Sequence, residues 1–417
     1  MILFIYLTLL LFGNPKNIEK PILIKNGTVH TVSNGTLQST DVLIENGKIK
    51  AIGKQLTDAS ATVIDATGKH VYPGLIAAQS NLGLVEVGAV RATRDFTEVD
   101  MFSPEVQSHT AFNPNSDITP TIYRHGITTA SVSPTKRSGV AGQSSVINLS
   151  GWTKEDMLVQ KNNGLHIFWP RMTVINAWWM RTPPKKQLEQ IPKNINAVYT
   201  FFENAKSYHL QRKVSSEIDT RLESVRPVFQ NKQTVFIHAN ELKQIEAAIQ
   251  FAKAFNFKMV LVGGRDSWKC TEILKQHHIS VILRQTQALP SDEDSDYDEA
   301  FRTPLKLKKA GIKFAIANSV GSDSWNVRTL PFQAGYAVAF GLTKEDALKS
   351  ITLSAAEILG VDKHIGSIDV GKQANIVVSE GDILDQLTQK ITHVFIHGKE
   401  VDLVNRQEKL YRTFKQR

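Results

Sequence analysis

Two rhythms of apolar and polar residues divide this chain. Between Ile22 and Ile64 the apolar residues come in short runs, Ile22-Leu23-Ile24, Thr28-Val29-His30-Thr31-Val32, Asp41-Val42-Leu43-Ile44 and Lys50-Ala51-Ile52. The pairs Asn26-Gly27, Asn34-Gly35 and Asn46-Gly47 separate them. Asn-Gly supplies the two positive-φ residues of a tight hairpin turn, so this pattern predicts a small antiparallel sheet. From Thr234 onward the rhythm changes. Val235-Phe236-Ile237-His238 precedes a segment whose Leu242, Ile245, Ile249 and Ala252 follow the helical period. Met259-Val260-Leu261-Val262 comes next, then Asp266 as a predicted N-cap for a helix over 268–276. Ile279-Ser280-Val281-Ile282-Leu283, a helix ending near Gly311, and Lys313-Phe314-Ala315-Ile316-Ala317 complete the series. Four βα repeats in a row are half of an eightfold barrel. The stretches 126–132, 145–149 and 165–168 add strands in a less regular first half, and 185–223 reads as mainly helical.

The stretch that links the two rhythms is Val71-Tyr72-Pro73-Gly74-Leu75-Ile76-Ala77-Ala78-Gln79-Ser80-Asn81-Leu82-Gly83. It runs apolar through Ala78 and turns polar at Gln79 and Asn81, as a buried parallel strand does when its end opens into a pocket. Alternation along a strand predicts that Gln79 and Asn81 point into the same cavity. At the far end, Gly366-Ser367-Ile368-Asp369-Val370-Gly371-Lys372-Gln373-Ala374-Asn375-Ile376-Val377-Val378 and Val394-Phe395-Ile396-His397-Gly398-Lys399 return to short strands around turn residues.

These motifs resemble the amidohydrolase superfamily. Its first barrel strand is worded V-x-P-G-L-I-D-x-H-T-H-L-G, and its C-terminal strands G-S-I-x-x-G-K-x-A-D-L-V-V. Gly341-Leu342-Thr343-Lys344-Glu345-Asp346-Ala347-Leu348 and Thr352-Leu353-Ser354-Ala355-Ala356-Glu357-Ile358-Leu359-Gly360 are similar to the imidazolonepropionase-like and prolidase-like branch. The resemblance runs from about Ile22 to about Val401 and implies an α/β fold. This would be a (β/α)8 TIM-like barrel over residues 73–362, with a composite β-sandwich built from 21–72 and 363–412. The scaffold identifies a fold and leaves turnover open.

The resemblance also implies a zinc-type divalent metal at the barrel mouth. It would be held by two histidines on the first strand, a carboxylated lysine or glutamate on the fourth, histidines on the fifth and sixth, and an aspartate on the eighth. Such an ion lowers the pKa of bound water and polarises the scissile carbonyl. In this sequence those positions read Gln79 and Asn81, His238, Gly263 and Asn318, with no evident fourth-strand lysine. Neutral amides bind zinc far less well than imidazole or carboxylate, so His238 is the one surviving metal-ligand position. Two function classes follow. One is a hydrolase of non-peptide C–N bonds, such as cyclic amides, with a reduced or rebuilt centre. The other is a non-catalytic small-molecule-binding protein on the same frame.

A rebuilt centre would draw on mouth loops. Glu86, Arg91 and Glu98 follow the first barrel strand, and Asp323 follows the last. Glu98 and Asp323 are the candidate acid–base pair. Glu86, Arg91 and Arg171 are candidate pocket residues, the last because arginine grips a carboxylate with two bonds. For each acidic residue, solvated loop charge is the competing reading. The stretch 139–145 reads as a turn rather than an anion cradle. Trp169, Trp178 and Trp179 read as an apolar wall.

Composition narrows the rest. At 417 residues the chain can hold a barrel and a smaller domain. Its net charge of +9 is spread along the chain without a dense basic run, which argues against a nucleic-acid partner and reads as a solvated basic surface; a small-molecule substrate or ligand is what the resemblance implies. A homo-oligomer stays open. Residues 1–12 are apolar but too short for a stable membrane span, which needs about 20 such residues. They read as the core of a signal peptide over 1–20, and so as export to a periplasmic or extracellular space. Cys270 is the single cysteine and reads as a small buried hydrophobe on a helix.

Overall fold

A computed structural model describes residues 20–210, 218–290, 293–318 and 324–416. The segment expected to be a signal peptide lies outside them, apart from Lys20, as does Asp323. Among the described residues no helix is long and apolar enough to cross a membrane.

Five strands come first: β1 (Ile22–His30), β2 (Thr36–Glu45), β3 (Lys48–Gly53), β4 (Thr62–Asp65) and β5 (His70–Pro73). The barrel strands follow: β6 (Leu75–Ser80), β7 (Ile127–Val132), β8 (Gly139–Asn148), β9 (Leu158–Phe168), β10 (Thr234–Ala239), β11 (Met259–Gly263), β12 (Ser280–Leu283) and β13 (Phe314–Ile316). Then come β14 (Ile376–Ser379), β15 (Ile391–Ile396) and β16 (Lys399–Glu400). Both chain ends build one eight-stranded sheet, β16-β15-β14-β5-β1-β2-β3 with β4 beside β1.

That sheet is not purely antiparallel. β4 and β5 pair parallel with β1, and the far end joins because β14 pairs antiparallel with β5. Asn46-Gly47 does turn the β2–β3 hairpin, whereas Asn26-Gly27 lies inside β1 as an irregularity in its pairing with β2. The Asn-Gly signal marks a positive-φ residue, here Asn26 at 60°, and a bulge satisfies that as well as a turn does.

β6 to β13 form the second eight-stranded sheet, a nearly closed barrel in the order β13-β12-β11-β10-β9-β8-β7-β6. The run β9 to β13 is parallel, as the βα repeats predict. The first half departs from the repeat, because β8 runs antiparallel to both β7 and β9. A short connection over 133–138 replaces a crossover helix, so antiparallel pairing is the geometry the chain can reach. The expected turn at 139–145 is therefore the first half of β8. A Cβ on Gly139 would collide with the Met101 carbonyl oxygen, so glycine admits the loop that packs there.

Inside the barrel Ile76, Ala78, Val146, Phe236, Val260, Ile282 and Ala315 pack with Ala355, Ile358 and Leu359. The last three belong to the helix Leu353–Leu359, which closes the floor and ends at Gly360 with a left-handed φ of 72°. Asn163 Nδ2 donates to the Leu359 carbonyl at 2.6 Å and pins that plug. The helix Lys344–Ser350 starts as expected, with the Thr343 hydroxyl accepting from the Asp346 amide. Asp266 behaves otherwise. It makes no side-chain cap at its own helix and instead accepts from the Leu242 amide at 3.0 Å, at the start of the helix Leu242–Ala254.

Asn375 joins sheet to barrel. Its Nδ2 donates to Thr129 Oγ1 (3.1 Å) and Asn148 Oδ1 (2.9 Å), and its Oδ1 accepts from the His397 amide (2.7 Å).

Candidate functional site

A cavity of about 1090 Å3 opens at the C-terminal ends of the barrel strands. Gln79, Phe168, His238, Gly263 and Arg284, which end or follow β6, β9, β10, β11 and β12, form its floor. Parallel strands bring their C-terminal ends to one face, and the residues that follow each strand converge there.

His238 stands at the centre. Its Nε2 lies 2.9 Å from Nδ1 of His166 on β9, and its ring stacks on Phe168 with centroids 3.8 Å apart. Register explains both contacts, since Phe168 sits opposite His238 and His166 opposite Phe236 across β9 and β10. Burial, then the neighbouring His166 and then the Arg284 guanidinium hold the His238 pKa well below that of a free imidazole. Burial alone brings His166 down to about 3. The pair is neutral near pH 7. His166 Nε2 is buried without a partner. The arrangement that leaves no buried N–H orphaned has His166 Nδ1–H donating to His238 Nε2, which puts the His238 proton on Nδ1.

The first-strand amides converge, though not on the cavity. Gln79 Nε2 donates to the Ser133 hydroxyl (3.0 Å) and Asn81 Nδ2 to the Ser133 carbonyl (2.6 Å). Gln79 lines the cavity; Asn81 is fully buried and does not. The β6–β7 register shifts between Ala77 and Ser80, so strict alternation ends before Asn81 is reached. Asn318 also lies off the cavity lining. Its Nδ2 donates to the Asn326 carbonyl (2.5 Å) and to Thr329 Oγ1 (2.7 Å), tying the end of β13 to the turn Ser324–Thr329. Gly263 lines the floor with φ at 100°, and a Cβ there would meet Asn240 Oδ1 at 2.5 Å.

The five positions that the resemblance implies as ligands carry one imidazole, paired with another histidine, three amides engaged in hydrogen bonds, and one glycine with no side chain. The fourth barrel strand ends at Phe168, an aromatic ring. Among the described residues no group of three or more His, Cys, Asp or Glu side chains is placed to hold a metal.

The loop candidates separate. Glu98 lines the cavity rim and is exposed; Lys136 Nζ contacts its backbone oxygen at 3.4 Å. Arg171 also lines the cavity, 3.5 Å from Glu241, whose other contact is the Thr173 hydroxyl at 2.9 Å. Glu86 turns away, accepting from Asn113 Nδ2 and the Ser116 hydroxyl, and Arg91 is exposed off the cavity with its guanidinium near the Arg94 carbonyl. A glutamate beside its own loop's donors stabilises the loop before it reaches any ligand. Trp169 is buried, edge-on to Tyr199, whereas Trp178 is 97% exposed and Trp179 also lies on the surface. Cys270 is buried, and burial pushes its thiol up to about 11, which makes it inert near neutral pH. Sequence reasoning singled out neither His166 nor Phe168 nor Arg284. Only Arg284 left a trace, as a charge directly after an apolar strand.

Residues 271–401 match the Amidohydrolase family. The chain is 44% identical over 68 residues to the D-hydantoinase of Geobacillus stearothermophilus, covering 16% of this chain and 14% of that protein. It is 32% identical over 178 residues to the imidazolonepropionase of Picrophilus torridus, 40% of this chain and 43% of that one. It thus spans under half the length of either curated relative. Among solved structures, an amidohydrolase from Thermotoga maritima MSB8 superposes with a TM-score of 0.78 at 27% identity, over 91% of this chain and 99% of the other.

Proposed function

Because this chain belongs to the amidohydrolase superfamily, we propose that its barrel-mouth cavity is the superfamily's ligand pocket, used to bind a small molecule without metal-assisted hydrolysis. The superfamily usually works through a divalent ion. The observation that carries the proposal is the neutral His166–His238 pair, which occupies the centre of the floor and engages the one imidazole an ion would need. Amides at the flanking positions supply neither the charge to hold the ion nor a base to take a proton from water. What remains is a deep pocket with hydrogen-bonding groups on its floor and apolar walls, the composition of a recognition site. The apolar run at residues 1–12 supports a further part of the reading, that the chain is exported.

Elemental analysis of protein purified without added metal tests this. The expected result is well under one equivalent of zinc, manganese or iron, and no turnover of hydantoin, dihydroorotate, an imidazolone or an Xaa-Pro dipeptide. Stoichiometric metal that His238→Ala removes would overturn it.

A second reading has its own support in the relatives' names, hydantoinase and imidazolonepropionase among them. It is hydrolysis of a cyclic C–N bond at a rebuilt centre, with Glu98 on the rim as the base and Asp323 as its partner. Metal-independent turnover of those ring substrates, lost in Glu98→Gln, would favour it.

A further inference from the structure

Arg284 follows β12 directly and projects into the cavity. Among the described residues its guanidinium makes no hydrogen bond and no ion pair. The cavity's carboxylates do not reach it. Glu241 is engaged by Arg171 and Thr173, Asp100 lies near Arg221 at 3.7 Å, and Glu98 and Asp296 are exposed on the rim, as Glu299 is in part. Arg284 is exposed to the solvent of the cavity, and partial burial of its guanidinium against the wall lowers its pKa below that of a free guanidinium. A cation that faces a cavity with no counter-charge among the described residues is free to meet an anionic ligand there. This one stands close enough to His238 to act on it electrostatically.

We infer that Arg284 and the Nδ1–H of His238 form a subsite for the carboxylate of an amphipathic ligand. The guanidinium presents two parallel N–H groups to a planar carboxylate, and the imidazole adds a neutral donor. Phe168, Leu283, Ile175, Met180 and Leu289 line the same cavity and offer an apolar surface for the rest of the molecule. A monoanion suits this subsite, because among the described residues Arg284 is the cation that acts on His238, while Arg171 is paired with Glu241 and Arg265 with Asp266. Lys136 is held higher up, by the Ser103 hydroxyl at 3.1 Å. The subsite rests on the reading of the cavity as a ligand pocket and specifies what it takes.

The test pairs three acids, N-benzoylglycine, N-acetylphenylalanine and indole-3-acetate, with their primary amides, titrated calorimetrically into chelator-treated protein. At least one acid should bind at least tenfold more tightly than its amide. Arg284→Gln should abolish that preference by weakening the acid to the level of its amide, and Arg284→Lys should retain part of it. Without ligand, Arg284→Gln should melt no lower than the parent protein, because it removes an unpaired charge. Acids that bind no better than their amides, or a preference that survives in Arg284→Gln, would overturn the subsite. Failure of the wider reading would appear differently, as stoichiometric metal or cleavage of the amides in the same samples.

Discussion

Nδ1 of His166 and Nε2 of His238 face each other across 2.9 Å, joining the fourth and fifth barrel strands where the superfamily places an ion. On the proposed reading, an ion would have to compete with this contact for His238. Restoring histidines at 79 and 81 and an aspartate at 318 should raise zinc content above that of the parent. Adding His166→Phe, which frees His238, should raise it further. Elemental analysis after dialysis checks both. Equal zinc in all the proteins would show that the pair does not control binding.

Gly263 stands at the position that the resemblance implies as the sixth-strand ligand, and a side chain there is strained. Its φ is 100°, and a side chain's first carbon there would come within 2.5 Å of Asn240 Oδ1. Gly263→Ala should therefore cost about 1–3 kcal/mol of stability. Urea denaturation would reveal this as a lower midpoint at unchanged slope.

Asn375 stands where the superfamily wording has aspartate, and its amide donates to Thr129 and Asn148. Asn375→Asp turns that donor into an acceptor facing the Asn148 oxygen. It should destabilise at least as much as Asn375→Ala, for which about 1–3 kcal/mol is expected from buried groups left unpaired. A melt in which the aspartate variant is the more stable would contradict this.

His30 predicts a pH dependence. Burial first, and then His70, bring its pKa down to about 4, against opposing effects of Asp382 and Glu345, with Lys344 adding to the lowering. It bonds with His70 Nδ1 at 3.0 Å and stacks on Tyr72 at 4.4 Å. The unfolded chain takes up this proton near pH 6.5 and the folded one near 4. The contribution is therefore complete above 6.5 and is lost as pH falls through that window. Melting temperature should decline from pH 6.5 to 4, and less steeply in His30→Gln.

Asp266 holds the first amide of the neighbouring helix Leu242–Ala254 and is also approached by Arg265 and Lys269. Asp266→Ala should lower stability by about 0.5–2 kcal/mol, the usual range for a lost cap. Hydrogen exchange should speed up at the start of Leu242–Ala254 rather than in the helix Asp266 precedes in sequence.

The frame was legible because its signals are local. Apolar runs ending at His238 and Leu283, the cap at Thr343 and the left-handed Gly360 need only neighbouring residues to be read. Those that were missed are settled across strands. Phe168 meets His238 through the register of β9 and β10, which no window of sequence contains. The reversed direction of β8 follows from a short connection whose end point is fixed by tertiary packing. Asn81 was expected in the cavity because alternation was extended through an irregularity that only pairing with β7 exposes. Trp178 shows the limit of composition: its type suggests burial, and a loop position exposes it.

The plug formed by Ala355, Ile358 and Leu359 makes the barrel a cul-de-sac. Whatever settles on the floor has to depart through the rim by which it arrived, past Met180 and Leu289. Exchange of an occupant would thus pass side chains that also line its binding surface, and a change at either is expected to alter how fast an occupant exchanges as well as how tightly it is held.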